Sequence, residues 1–105
     1  MGSRLTIPEY AKRAARQALE LRDSLPKSRR FGLTTYEARR EGVFSGVERA
    51  KQIISSPSLP PADAQSVASF YQRFKGCRTK KCEGAIGLWG GRKFGKKAVE
   101  FVKNL

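Results

Sequence analysis

Two cysteines, Cys77 and Cys82, sit inside the most basic stretch of this 105-residue chain. Four residues separate them, which is the spacing of neither a zinc-binding nor a redox CxxC pair. Histidine is absent. Two cysteines cannot complete a four-ligand structural zinc site without His or nearby carboxylates, and the usual general base and every Ser/His or Cys/His pairing are missing. The cysteines therefore read as two thiols of a reduced protein, with a small disulfide loop as the alternative. Carboxylate pairs for acid/base work are limited to Glu37 with Glu41 and Glu48 with Asp63. Glu37 lies beside Arg39 and Arg40, and Glu48 stands where a helix cap wants an acid, so solvated and capping roles account for them. No catalytic residue, metal or cofactor is expected, and the chain reads as non-enzymatic.

Charge is the stronger signal. Lys and Arg number 22 against 9 Asp and Glu, a formal charge of +13. Residues 1–30 carry +5, residues 31–72 balance to zero, and residues 73–105 carry +8. The densest run, from Arg73 to Lys97, sets nine cations against Glu83 alone. Such a cluster repels itself unless an anion lies against it, so a polyanionic partner is the economical expectation. Nucleic acid is the first, with DNA favoured over RNA, bound through Arg73, Lys75, Arg78, Lys80, Lys81, Arg92, Lys93, Gly95, Lys96 and Lys97. Lys12, Arg13, Arg16, Arg29 and Arg30 form a secondary basic face. No helix gathers Asn, Gln and Arg into a recognition surface, so backbone phosphates rather than base edges are the expected contacts. The alternative partner is an acidic viral or host protein surface, met by a virion component or a host-enzyme inhibitor.

Short helices must position these groups. Thr6-Ile7-Pro8-Glu9 has the form of a helix start with Thr6 as N-cap. Tyr10, Ala11, Ala14, Ala18, Leu21 and Leu25 then recur at helical steps, predicting an amphipathic helix of about 17 residues that Leu25-Pro26 ends. Lys27 to Gly32 is a basic loop. Thr35 to Arg40 is a short helix stopped at Gly42, and Ser45-Gly46-Val47-Glu48 caps another through Ile54. Residues 55–61, rich in Ser and Pro, form a connector inside the domain. The next helix carries Ala64, Val67, Phe70, Tyr71 and Phe74, the richest apolar stripe and the expected core centre, and is capped at Gly76. A basic turn between the cysteines leads to the apolar segment Ala85 to Trp89, which Gly90-Gly91 ends. Trp89 reads as core rather than as a base-stacking platform. A last helix places Ala98, Val99, Phe101, Val102 and Leu105 on its apolar face. With no sustained alternation, the chain is expected to be all-α: one basic domain over 1–105 of about four to six short packed helices, with residues 1–5 flexible.

Phe94-Gly95-Lys96-Lys97-Ala98 has two readings. Glycine at a helix start exposes backbone N–H groups to an anion, with Lys96 and Lys97 in the first turn adding charge, or Gly95 simply permits close packing. The segment resembles the second half of a helix-hairpin-helix DNA-binding motif, although Leu88 stands upstream of its place and Lys93 occupies that of the first hairpin glycine. A wider resemblance rests on Ala-Arg-Gln-Ala-Leu-Glu-Leu-Arg at 15–22, Ser45-Gly46-Val47-Glu48-Arg49-Ala50-Lys51, Val67-Ala68-Ser69-Phe70-Tyr71-Gln72-Arg73-Phe74, and Ala85-Ile86-Gly87-Leu88-Trp89-Gly90-Gly91. In that order they resemble a small helical module recurrent in bacteriophage and other viral proteins, of poorly defined activity. Phe74 and Arg92 replace the His and Asp of that module, so a polar site built on those two is absent. The resemblance implies a viral origin, with the host cytoplasm, and the virion besides, as the expected locations.

No apolar run approaches the roughly 20 residues that span a bilayer, and the N-terminus lacks a signal-peptide core. No membrane association and no secretion is expected.

Overall fold

The computed structural model describes residues 3–41 and 44–105, and the helix stop expected at Gly42 lies outside them. Six α-helices follow one another: α1 Glu9–Ser24, α2 Thr35–Glu41, α3 Gly46–Ser55, α4 Pro61–Phe74, α5 Lys80–Leu88 and α6 Gly91–Lys103. The fold is all-α apart from two strands of two residues, β1 Leu5–Thr6 and β2 Ser58–Leu59. They pair antiparallel, Leu5 opposite Leu59 and Thr6 opposite Ser58.

That pairing corrects two expectations. The segment 1–5 is not a loose end at Leu5, which is buried in the core beside Leu59. Thr6, drawn into the strand, does not cap α1. Extended Pro8 stands at the N-cap instead, and its carbonyl accepts from the N–H groups of Ala11 and Lys12. The C-terminus of α1 falls where Pro26 requires it, with Leu25 held extended. The basic loop that follows contains a single 3-10 turn, Lys27–Arg29.

One face of α1 is a stripe of alanines. Ala11, Ala15 and Ala18 are buried, so α3 and α5 can close against its backbone. The stripe continues to Arg22 rather than to Leu21. Leu21 is exposed, whereas buried Arg22 donates from Nε to the carbonyl of Phe31 at 2.8 Å. α3 begins as expected, with the Ser45 hydroxyl accepting from the N–H of Glu48. Pro61 opens α4 at the first helical position. Its expected cap at Gly76 is not formed. α4 ends at Phe74 with Lys75 still helical, and Gly76 lies in the turn beyond without a left-handed conformation.

Lys80, Lys81 and the apolar segment after them form one helix, α5, where a turn and a separate apolar stretch were expected. Thr79 caps it, its hydroxyl accepting from the N–H of Cys82 at 3.2 Å. Gly90 and Gly91, with φ of 101° and 88°, then turn the chain sharply into α6. The last helix therefore starts earlier than expected. Its first turn holds Arg92 and Lys93, and Lys96 and Lys97 lie in the second.

α6 packs along α4 as the most extensive helix pair. Gly95 is the closest point. A Cβ there would fall 2.5 Å from ring atoms of buried Tyr71. Of the two readings of Gly95, close packing is the one realised, and Gly95 is removed from the anion-binding set. Gly95→Leu is expected to destabilise by about 1–3 kcal/mol through overpacking. Gly76→Ala, with nothing within 4 Å of its new methyl group, should stay within about 0.5 kcal/mol of the native chain. Urea unfolding midpoints of the two variants check both.

Candidate nucleic-acid interface

The turn joining α4 to α5 is a bridged, cationic lobe. Cys77 and Cys82 form a disulfide, with Cα atoms 5.9 Å apart, which corrects the reading of two reduced thiols. The cause is local. The turn Gly76 to Thr79 folds Cys77 back over the first turn of α5, where Thr79 anchors the N–H of Cys82, so the four-residue spacing brings the two side chains together. Arg73, Lys75, Arg78, Lys80 and Lys81 project from this lobe, all exposed. Among the described residues none of the five pairs with a carboxylate. Lys80 and Lys81 also sit in the first turn of α5, where their charge adds to the positive end of the helix dipole.

The remaining expected site residues divide. Arg92 lies under the lobe and is fully engaged. It pairs with Glu83 at 2.8 Å and donates to the carbonyls of Lys75 and Cys77 at 2.8 and 3.0 Å. It ties α6 to the turn and is not a free phosphate ligand. Lys93 points the other way, its ammonium 4.6 Å from the ring centroid of Tyr10 on α1. Lys96 and Lys97 are exposed on α6. Their expected place at a helix start is corrected, and with it the argument that an anion there must reverse the local sign.

The secondary basic face is largely dismantled. Lys12 donates to the carbonyls of Ile53, Ile54 and Ser56, which closes the C-terminal end of α3. Arg16 pairs with Glu9 at 3.4 Å. Arg30 donates to the carbonyl of Leu25, while Arg13 and Arg29 stay exposed.

Beside the lobe lies a cleft of about 800 Å³ with a mainly apolar lining that includes Phe31, Phe44, Phe70, Phe74 and Trp89. Trp89 stacks on Phe70 with centroids 4.3 Å apart, and Phe70 on Phe74 at 4.5 Å. Two rings at those distances cannot share one face of a third, so the three stand in file. Trp89, Phe70 and Tyr71 are buried, as the sequence led us to expect, and Phe74 is half-buried at the open end. Arg30, Arg73 and Lys81 stand around the cleft.

No family model, curated protein or solved structure matches the chain. The functional reading rests on its own residues.

One residue beneath the cleft was not singled out in the sequence. Arg49 is 1% exposed, the largest fully buried side chain among the described residues. Its Nη1 pairs with Asp63 at 3.2 Å and donates to Gln52 Oε1 at 2.7 Å, and Nη2 donates to Ser66 Oγ at 3.0 Å. Gln52 in turn donates to Asp63 at 2.9 Å. The guanidinium lies 4.0 Å from the centroid of Phe44 and 4.9 Å from that of Trp89. Its Nε has no partner. The sequence carried a signal for it, since position 49 falls on the same face of α3 as Gly46, Ala50 and Ile53.

Burial alone would raise the Asp63 carboxyl. Hydrogen bonds from Gln52 and Arg49, with the charges of Arg49 and Arg4, outweigh this and hold it below its ordinary value. A carboxyl lowered by folding stabilises the native state above its unfolded pKa of about 3.9, and that stability is lost as pH falls through the folded value. Asp63→Asn leaves Arg49 buried and unpaired. At pH 7 it should cost about 2–3 kcal/mol, less than for a fully buried pair because Asp63 is 30% exposed. The difference between native and variant proteins should shrink below about pH 4, which urea unfolding at pH 7 and pH 3 would measure.

Proposed function

We propose that the chain is a non-enzymatic viral protein that binds nucleic acid through backbone phosphates, using the lobe at residues 73–81. The observation that carries this reading is the division of the cations. Arg22, Arg30, Arg49, Arg92 and Lys12 are engaged with carbonyls and carboxylates inside the fold. Among the described residues Arg73, Lys75, Arg78, Lys80 and Lys81 pair with no carboxylate, and they crowd in and beside one bridged turn. Their mutual repulsion is relieved by a row of phosphates, whose own spacing of charge is comparably dense. Lys96 and Lys97 extend the cationic surface along α6. The disulfide limits the shapes the turn can take, so less ordering entropy is lost when it meets its partner.

The viral origin follows from the sequence resemblance alone, and sequence-selective readout is not part of the proposal. A disulfide persists in oxidising surroundings, virion surfaces among them, so the bridged form fits a particle better than a reducing cytosol.

Binding to duplex DNA across a salt series tests the proposal. Log affinity should fall linearly with log salt. Changing Arg78, Lys80 and Lys81 to Gln should make the slope shallower by about 0.9 for each phosphate that the variant no longer neutralises. Lys12→Gln should leave the slope unchanged and lower thermal stability, because Lys12 closes α3 rather than meeting phosphate. A salt-independent affinity overturns the proposal. So does saturable binding at fixed stoichiometry to an acidic protein without affinity for DNA.

A further inference from the structure

The lobe explains attraction to phosphate but leaves the cleft beside it without a role. The geometry points to the cleft as a seat for an unpaired nucleobase, so that the chain binds single-stranded nucleic acid in preference to duplex. This deepens the phosphate-binding reading and rests on it.

Three features converge. The first is the chemistry of the walls. Trp89, Phe70 and Phe74 stand in file, the inner end of the file meeting the Arg49 guanidinium and the outer ring, Phe74, only half-buried at the cleft. Phe44 is 46% exposed across the same cleft. Near-parallel rings ending in a half-buried one, with the Arg73 guanidinium 6.0 Å from its centroid, form a surface that a planar base extends, and every base has a π-face to offer. An aliphatic ligand would bury apolar surface there but would not stack in line with the rings.

The second feature is charge. Arg30, Arg73 and Lys81 line the cleft with the rings, and no acidic side chain among the described residues does. A ligand suited to it is flat and apolar at one end and anionic at the other, which describes a nucleotide unit. Arg73 and Lys81 belong also to the phosphate-binding lobe, so a strand crossing the lobe passes the mouth of the cleft. The third is size. About 800 Å³ lies within the roughly 300–1,000 Å³ typical of sites that enclose small molecules, so a base can enter. A duplex presents its bases paired and stacked, and would have to give up both to fill the cleft.

The experiment compares four ligands of equal length with the disulfide-bonded protein: a thymine single strand, an adenine single strand, a fully abasic strand and a duplex. The abasic strand keeps the phosphates and lacks the rings. Both base-carrying strands should bind at least about tenfold more tightly than the abasic strand, in line with stacking on one or two rings. Phe74→Leu keeps an apolar side chain but removes the stacking face. It should abolish that preference while leaving the salt dependence as it was, and Phe44→Leu should reduce it. Unfolding curves establish that each variant is folded, and Trp89, the only tryptophan, reports filling of the cleft by a change in emission. Equal affinity for the abasic and base-carrying strands, with the salt dependence intact, overturns the cleft assignment and leaves the phosphate reading standing. Absence of binding to every strand overturns both. Displacement of Trp89-detected occupancy by an acidic amphipathic peptide, without any difference between abasic and base-carrying strands, assigns the cleft to a protein helix and overturns the inference.

Discussion

A guanidinium withdrawn from water at position 49 is the constraint around which this small fold is arranged. Desolvating a cation costs several kcal/mol, and the cost is tolerable only where the charge is paired and most of its donors are met. Arg49 is held by Asp63 and Ser66 of α4 and by Gln52 of its own helix, while aromatic faces of Phe44 and Trp89 cover its flat sides. α3, α4 and the end of α5 cannot shift independently without exposing or orphaning that charge. The same clasp fixes the inner end of the ring file, and hence the orientation of the rings that reach the cleft.

A second consequence of the high charge is that the fold uses its cations in two ways. Helix C-termini leave carbonyls without intrahelical partners. Lys12 satisfies those of α3, Arg30 that of Leu25 at the end of α1, and Arg92 those of the turn after α4. Basic side chains thus stand in for the polar and glycine caps that several of these helices lack. Of the remaining cations, the densest group gathers where the chain turns between α4 and α5, and there Arg92 already occupies Glu83 and the carbonyls of Lys75 and Cys77.

The helical architecture was legible in the sequence because its cues were local and mutually consistent. Proline punctuation placed the end of α1 and the start of α4, Ser45 placed α3, and the alanine and aromatic stripes had helical spacing. What escaped depended on partners distant in sequence. Thr6 has the chemistry of a cap, and only Ser58 opposite it makes it a strand residue. Thr79 does cap a helix, but no acid at the third helical position and no apolar residue before it announced the fact. Lys12 and Arg92 look like any solvated cation until the carbonyls they reach are brought near by tertiary packing. Arg22 and Arg49 were the readable exceptions. Both occupy positions that the helical period assigns to the buried face, and a basic residue in such a position signals an internal acceptor. The cationic lobe was found by composition, whereas the cleft, made from residues of four separate segments, left no linear trace.

The disulfide at the lobe has a consequence for how the protein meets proteases. Exposed bonds after Arg78, Lys80 and Lys81 all lie between Cys77 and Cys82, so a trypsin-like enzyme that nicks the lobe at any of them leaves the two pieces covalently joined. The α4 and α6 segments would then remain packed against each other on either side of the break, and separation into fragments would require a reductant as well as a cut. Bridged in this way, a basic stretch of the chain can be severed without releasing anything.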